Sequence, residues 1–311
     1  MWGTVISGSK NRFEVECADG VVRLCTIKGK ILKHRQSYYN PLAPGDAVEI
    51  AQDELTGTQG QIVSLVERAN AFVRWNVKGR LPQLLAANLD CLLCVTTPAQ
   101  PPFRARFIDR ALAQAEHDGI APVIVCNKID LGADDETERM LAVWERIGYR
   151  VLRVSARGGQ GLAELSDLIA GKLSALVGQS GVGKSSLINA LDPSHALRTA
   201  ELSQKYGRGS HTTTKGVLLH LVLGAGQTAS VIDTPGIRRF VLHDIAAEDL
   251  ALYFKELKPL VGTCAFGMSC SHRCEPGCRI IEAVQKGTVS AQRYESWSRI
   301  SGELAGGGWE D

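Results

Sequence analysis

Residues 178 to 186 read Gly178-Gln179-Ser180-Gly181-Val182-Gly183-Lys184-Ser185-Ser186. This matches the phosphate-loop pattern G-x-x-x-x-G-K-S. The glycines let backbone N–H groups converge on phosphate oxygens, Lys184 reaches the outer phosphates, and the Ser185 hydroxyl is a ligand type suited to Mg²⁺. The loop follows an apolar run, Ser174 to Val177, and opens a predicted helix, Ser185 to Leu191, whose N-terminus adds partial positive charge.

A second motif, Asn127-Lys128-Ile129-Asp130, follows the apolar run Pro122 to Cys126. Guanine presents two donors side by side, N1–H and the N2 amino group, and the Asp130 carboxylate accepts both. Asn127 bonds the base or braces the loop, and the Lys128 stem covers the ring. Ser155-Ala156, after another apolar run, offers backbone N–H groups to the guanine O6. A third motif, Asp233-Thr234-Pro235-Gly236, follows Ala229 to Ile232. Asp233 is placed to hold Mg²⁺ through water, and the Gly236 N–H to sense a γ-phosphate. Together the three motifs predict a nucleotide site selective for GTP and GDP.

Between the phosphate loop and Asp233 lies His211-Thr212-Thr213-Thr214. A threonine of this run, with Thr213 carried forward, is expected to ligate Mg²⁺ beside Ser185. Ile237 stands where many GTPases carry a water-orienting glutamine, and isoleucine orients no water. His211 is the nearest polar side chain able to position or deprotonate the attacking water.

These residues need elements to carry them. Closely spaced short strands up to residue 67 (Phe13 to Cys17, Val21 to Ile27, Ala47 to Ile50, Gln61 to Val66) predict a small β-barrel, and an oligonucleotide-binding (OB) barrel fits. From residue 68 to 241 strands and helices alternate, with Phe103, Phe107, Ile108, Ala111, Leu112 and Ala115 at helical spacing and Tyr149 to Val154 as a strand. A doubly wound α/β layer with a mostly parallel sheet follows. From 242 to 311 the chain is expected to be helical, with Leu250, Tyr253, Phe254 and Leu257 forming one face and a second helix starting near Arg279. The guanine motif precedes the phosphate loop by about 50 residues, the reverse of the usual order, so the central domain is predicted to be circularly permuted.

Cys264, Cys270, His272, Cys274 and Cys278 fall within 15 residues. Soft and borderline ligands this close suit tetrahedral Zn²⁺, with five candidates for four positions. An odd total of nine cysteines argues against a disulfide framework. Cys91 and Cys94 form a C-x-x-C inside an apolar run, where residues three apart on a strand face opposite sides. They are read as core residues.

Apolar residues at 44% and charged residues at 22% place the chain in the ordinary globular class. No apolar run approaches the roughly 20 residues of a membrane span, so a cytoplasmic protein without membrane contact is expected. The net charge of +2 hides an uneven distribution: five basic and no acidic residues from Val21 to Gly45, and seven basic against two acidic from Arg68 to Arg110. A basic N-terminal half suits a polyanion such as RNA.

The combination of permuted order, phosphate loop, His211-Thr212-Thr213-Thr214, Asp233-Thr234-Pro235-Gly236 and the run Cys270, His272, Cys278 with Glu275-Pro276-Gly277 resembles the RsgA (YjeQ) family of circularly permuted bacterial GTPases. That resemblance implies an N-terminal OB-fold (1–67), a central GTPase (68–241) and a C-terminal zinc-binding domain (242–311). It implies GTP hydrolysis stimulated by the 30S subunit during late small-subunit maturation, with binding to 16S rRNA, and a monomer. It also maps the catalytic histidine onto His211 and the zinc ligands onto Cys264, Cys270, His272 and Cys278, leaving Cys274 as an extra thiol.

Overall fold

The computed structural model describes residues 1–9, 11–29, 38–194 and 215–306. Three bodies follow one another along the chain, and their strands merge.

The first is a five-stranded barrel: β1 (Trp2–Ser9), β2 (Arg12–Cys17), β3 (Val22–Ile27), β4 (Ala47–Gln52) and β5 (Gln59–Leu65). The strands pair in the order β1-β2-β3-β5-β4, and β4 closes back onto β1. All pairings are antiparallel except β3 with β5. Closure favours strands that alternate: Phe13, Val15 and Cys17 point inward on β2, and Val5, Cys25, Val48, Ile50 and Ile62 complete a separate apolar core. The expected barrel is therefore present, and β1 is a strand that its Gly- and Ser-rich sequence did not announce.

The central layer contains β8 (Cys91–Thr96), β9 (Ala121–Cys126), β10 (Arg150–Arg153), β11 (Leu173–Gly178), β12 (Val217–Val222) and β13 (Thr228–Asp233). Their order is β10-β9-β8-β11-β13-β12, parallel throughout except for β12. Helices α1 (Ala105–His117), α2 (Asp135–Ile147), α3 (Leu162–Ile169) and α4 (Lys184–Leu191) connect or flank these strands. Every residue of β8 is buried, as a central parallel strand covered on both faces requires. Cys94 lies in the core on one side of the sheet and Cys91 in the core on the other, so the C-x-x-C is split between faces as strand geometry demands. The edge strand β12 also meets the barrel, with Ser7 of β1 opposite Val217, so the two sheets are continuous. An unforeseen hairpin, β6 (Ala71–Asn76) with β7 (Leu81–Ala87), forms its own two-stranded sheet between barrel and central layer.

The C-terminal body holds α5 (Arg279–Gln285) and α6 (Ala291–Gly306), plus 3₁₀ turns. The expected helix through Leu250 to Leu257 is instead a 3₁₀ turn, Leu250–Tyr253. Phe254 leaves helical geometry, and its buried ring lies 4.3 Å from the Arg293 guanidinium. Leu250, Phe254 and Leu257 are all fully buried, so the apolar pattern was real and its period was misread. The strand expected over 149–154 is confined to Arg150–Arg153.

Candidate functional site

Three loops leave the carboxyl ends of β9, β11 and β13, where ligands bind in open parallel sheets. They carry the guanine motif, the phosphate loop and the D-x-x-G motif.

Asn127 is buried and bridges two of the loops. Its side-chain amide donates to the Val182 carbonyl (2.9 Å), and its carbonyl oxygen accepts from the Ala156 N–H (3.1 Å). It therefore braces the site. The Ala156 N–H is engaged by Asn127, and the Ser155 N–H donates to the Gln160 carbonyl, so neither N–H of the expected O6 contact is idle here. The Ser155 hydroxyl does something sequence reasoning missed. It donates to Asp130 at 2.5 Å and accepts from the Gly158 N–H, which fixes the direction of an otherwise exposed carboxylate. Lys128, in the left-handed region at φ 65°, donates to the carbonyls of Gln100 (2.7 Å) and Gly181 (2.6 Å), so its stem lies along the phosphate loop.

Within that loop Lys184 is buried, and its ammonium donates to the carbonyls of Gly178 (3.0 Å) and Gln179 (3.2 Å). Burial lowers its pKa, an effect that a phosphate partner would oppose. Gly183 has φ 94°, and a Cβ there would fall 2.4 Å from the Asn127 amide nitrogen, so the loop and the guanine motif interlock only with glycine. Gln179 is half-buried, whereas Ser180, Gly181, Ser185 and Ser186 are exposed along the outer rim.

Ser185 and Asp233 converge, with the hydroxyl donating to the carboxylate at 3.1 Å. Two hard oxygen donors side by side fit a Mg²⁺ site. Gly236 lies against the phosphate loop; a Cβ would sit 2.8 Å from the Ser180 Cα. Thr234 anchors the segment by donating to the Leu176 carbonyl (2.6 Å). Ile237 is buried in the apolar core with Phe240, so its side chain is turned away from any attacking water. His211 and Thr213 lie outside the described residues.

The second site is the cysteine cluster. The Sγ atoms of Cys264, Cys270 and Cys278 and a ring nitrogen of His272 all lie within 4.8 Å of one another, and all four residues are buried. Cys264 and Cys278 sulfurs are 3.9 Å apart, and each is 3.5 Å from His272 Nδ1. Zn–S bonds of about 2.3 Å in a tetrahedron give edges of about 3.8 Å, so the set fits zinc. Burial pushes the Cys270 thiol up and the His272 imidazole down. A neutral imidazole is the ligating form, and a divalent cation offsets the cost of buried thiolates. Surrounding groups hold the ligands: Tyr294 donates to the His272 carbonyl (2.7 Å), and the Arg279 N–H to the Cys264 sulfur (3.3 Å). Glu275 accepts from the N–H groups of Ser271, Arg273 and Cys274, and hydrogen bonding, chiefly from the Ser271 side chain, holds its carboxyl down at about 2. Cys274 is exposed and outside the cluster.

Comparison with known proteins agrees with this arrangement. The profile of the RsgA GTPase family matches residues 65–243. The chain is 40% identical to the small ribosomal subunit biogenesis GTPase RsgA of Chlorobaculum tepidum, over 97% of this chain and 98% of that one. It is 38% identical to the protein of the same name from Borrelia recurrentis, over 96% and 93%. Among solved structures it is similar to YjeQ from Thermotoga maritima (TM-score 0.74, 32% identity, 98% of each chain). It is also similar to YloQ, described as a circularly permuted GTPase (TM-score 0.69, 27% identity, 98% of this chain and 94% of that one). With the guanine motif on β9 preceding the phosphate loop on β11, and likeness along nearly its whole length, the chain belongs to the RsgA family of circularly permuted GTPases.

Proposed function

We propose that this GTPase acts in the cytoplasm, as a monomer, in late maturation of the small ribosomal subunit, binding 16S rRNA and hydrolysing GTP faster on the 30S subunit. The relatives named as small-subunit biogenesis GTPases support this reading, as does the basic charge of the barrel half. The chain divides by function into an RNA-binding barrel (1–67), a GTPase unit (68–241) and a zinc-binding unit (242–311).

The single observation that carries the nucleotide reading is the bridge by Asn127 from the phosphate loop to the 155–156 loop. It joins the base-reading and phosphate-reading halves into one rigid cradle. In that cradle Asp130, aimed by Ser155, accepts the two guanine donors, and Lys128 covers the ring. The N–H groups of residues 179–186 and the Lys184 ammonium take the phosphates, with Lys184 exchanging its two loop carbonyls for phosphate oxygens. Ser185 and Thr213 would hold Mg²⁺, with Asp233 acting through water, and the ion when bound would neutralise charge on the outer phosphates. Gly236 contacts the γ-phosphate, and His211 positions or deprotonates the attacking water in place of Ile237. Cys264, Cys270, His272 and Cys278 hold one structural Zn²⁺.

GTP turnover measured with and without purified 30S subunits tests the proposal. Stimulation by the subunit is expected, with most of it lost in His211→Ala while nucleotide affinity is retained. Equal turnover in both conditions, with His211→Ala unaffected, would leave an RNA-binding protein that uses its nucleotide only as a conformational switch.

A further inference from the structure

On the α1 side of the central layer, beside the segment that follows Gly236, lies a cavity of about 390 Å³ lined by five arginines (Arg104, Arg106, Arg110, Arg238 and Arg239) and a single carboxylate, Glu136. Glu303 chelates Arg110 from α6 at 2.5 and 2.6 Å and Arg239 is engaged as well, so the positive excess around the concavity comes from Arg104, Arg106 and Arg238 against Glu136. Arg104 and Arg238 form no ion pair among the described residues, and the buried Nε of Arg106 has no hydrogen-bond partner among them. A chain folding for stability alone does not gather unpaired guanidinium groups around a hollow, because they repel one another and an unmet buried N–H is costly. Helix α1 begins at this cavity, and its N-cap residue Arg104 supplies no side-chain cap, so the first-turn N–H groups add to the positive field.

We propose that this cavity is a second anion site, distinct from the phosphate loop, that binds phosphate groups of a polyanion. Phosphate is the chemistry that several guanidinium forks satisfy together, since its oxygens accept from more than one fork, whereas a lone carboxylate is satisfied by one. The floor supports this choice. Phe107 and Phe240 are buried and packed edge-to-face (6.2 Å), so neither offers a stacking face to a base, and recognition runs through phosphate alone. Arg238 lies two residues beyond Gly236, so an occupant of the cavity is tied to the D-x-x-G segment. The Arg239 carbonyl accepts from Arg74 of the β6–β7 hairpin (3.3 Å), which ties that hairpin to the same segment. The coupling to turnover rests on the nucleotide reading above; the binding itself does not.

The phosphate has two sources, an RNA backbone or a small polyphosphate, and one experiment separates them. The full chain is saturated with a non-hydrolysable GTP analogue and Mg²⁺ so that the phosphate loop is filled. Inorganic pyrophosphate is titrated by calorimetry, and a short RNA duplex by fluorescence anisotropy across a salt series. The same titrations are run on Arg104→Gln/Arg106→Gln, whose unchanged affinity for the analogue reports an intact fold and nucleotide site. If the ligand is an RNA backbone, the variant binds the duplex about tenfold more weakly, with a salt slope shallower by about one to two. If it is a small polyphosphate, pyrophosphate binds the unaltered chain and not the variant. Identical isotherms for both probes in the two proteins overturn the site. Loss of analogue binding with retained probe binding would instead overturn the nucleotide reading.

Discussion

Arg293 of α6 donates into the carboxylate of Asp109 on α1, 184 residues earlier in the chain, and both side chains are almost wholly buried. Glu256 takes the other side of the guanidinium at 2.6 Å, the Trp144 indole donates to Asp109 at 2.9 Å, and Phe254 stacks beneath at 4.3 Å. The C-terminal body is thus keyed into the GTPase layer by a charge cluster with no solvent to screen it.

Removing the cation strands two buried carboxylates. Arg293→Ala is expected to destabilise the fold by about 3–5 kcal/mol, read as a fall in the urea midpoint. A change below 0.5 kcal/mol would show that the cluster is hydrated and of little structural weight.

Asp130 accepts a hydrogen bond from Ser155, which fixes its carboxylate in the position proposed to read guanine. Asp130→Asn is expected to lower GTP affinity by at least about 100-fold, two bonds to a charged group being worth roughly 3–6 kcal/mol together, and to shift preference toward xanthine nucleotides. Ser155→Ala should produce a smaller loss of the same kind. Equilibrium binding of fluorescent nucleotide analogues measures both, and unaltered guanine preference in Asp130→Asn would move the base-reading role elsewhere.

The cysteine cluster predicts a metal-dependent C-terminal fold. Trp297 is buried and edge-on to His272, with ring centroids 6.1 Å apart. Chelation of zinc, or Cys264→Ser, should loosen this contact and red-shift tryptophan emission, with a stability loss of several kcal/mol. Cys274→Ser should leave metal content and emission unchanged, because that thiol is exposed and outside the cluster. Metal analysis of the three proteins checks the ligand set.

A pH effect follows from His117. Its hydrogen bond to Asp118 (2.7 Å) is the chief cause that raises its pKa above the ordinary 6.5. A raised folded-state value means the stabilisation is complete below about 6.5 and is lost as pH rises through the folded value. Asp118, Asp244, Gln114 and the Tyr253 ring surround the imidazole. Urea midpoints should therefore decline from pH 6.5 upward, and His117→Gln should flatten that part of the curve.

The nucleotide cradle was legible because its chemistry lies in contiguous motifs, and the strands beneath them are short apolar runs that only a covered parallel sheet tolerates. The cysteine cluster was legible as five candidates; four of them converge and are buried, while Cys274 is exposed. What escaped were features made by distant partners. Strand β1 carries Gly3, Ser7, Gly8 and Ser9, a composition that propensity does not favour, and it forms because β2, β4 and β12 all pair with it. The β6–β7 hairpin is interrupted by Arg74, Asn76 and Pro82; Arg74 and the Pro82 carbonyl have partners beyond the hairpin, at Arg239 and Tyr39. Ser155 as the aiming device for Asp130, and Arg293 as the key to α1, are relations across 25 and 184 residues that no local pattern encodes. The 3₁₀ turn at Leu250 was misread because i, i+3, i+4 spacing fits both helix types over so short a run.

The permuted order also sets a schedule for synthesis. Strand β8 is the middle of the parallel sheet, yet its neighbour β11 begins at Leu173, whose N–H donates to Asp90 83 residues earlier. At translation rates of about 5–20 residues per second, one edge of a wholly buried strand waits for about 4–17 seconds before its partner emerges. During that interval the segment around Asn127 exists without the phosphate loop, and one edge of β8 stays open to pairing. An unpermuted relative makes its phosphate loop first and meets nucleotide early; this chain acquires its ligand only after most of its sheet is already laid down.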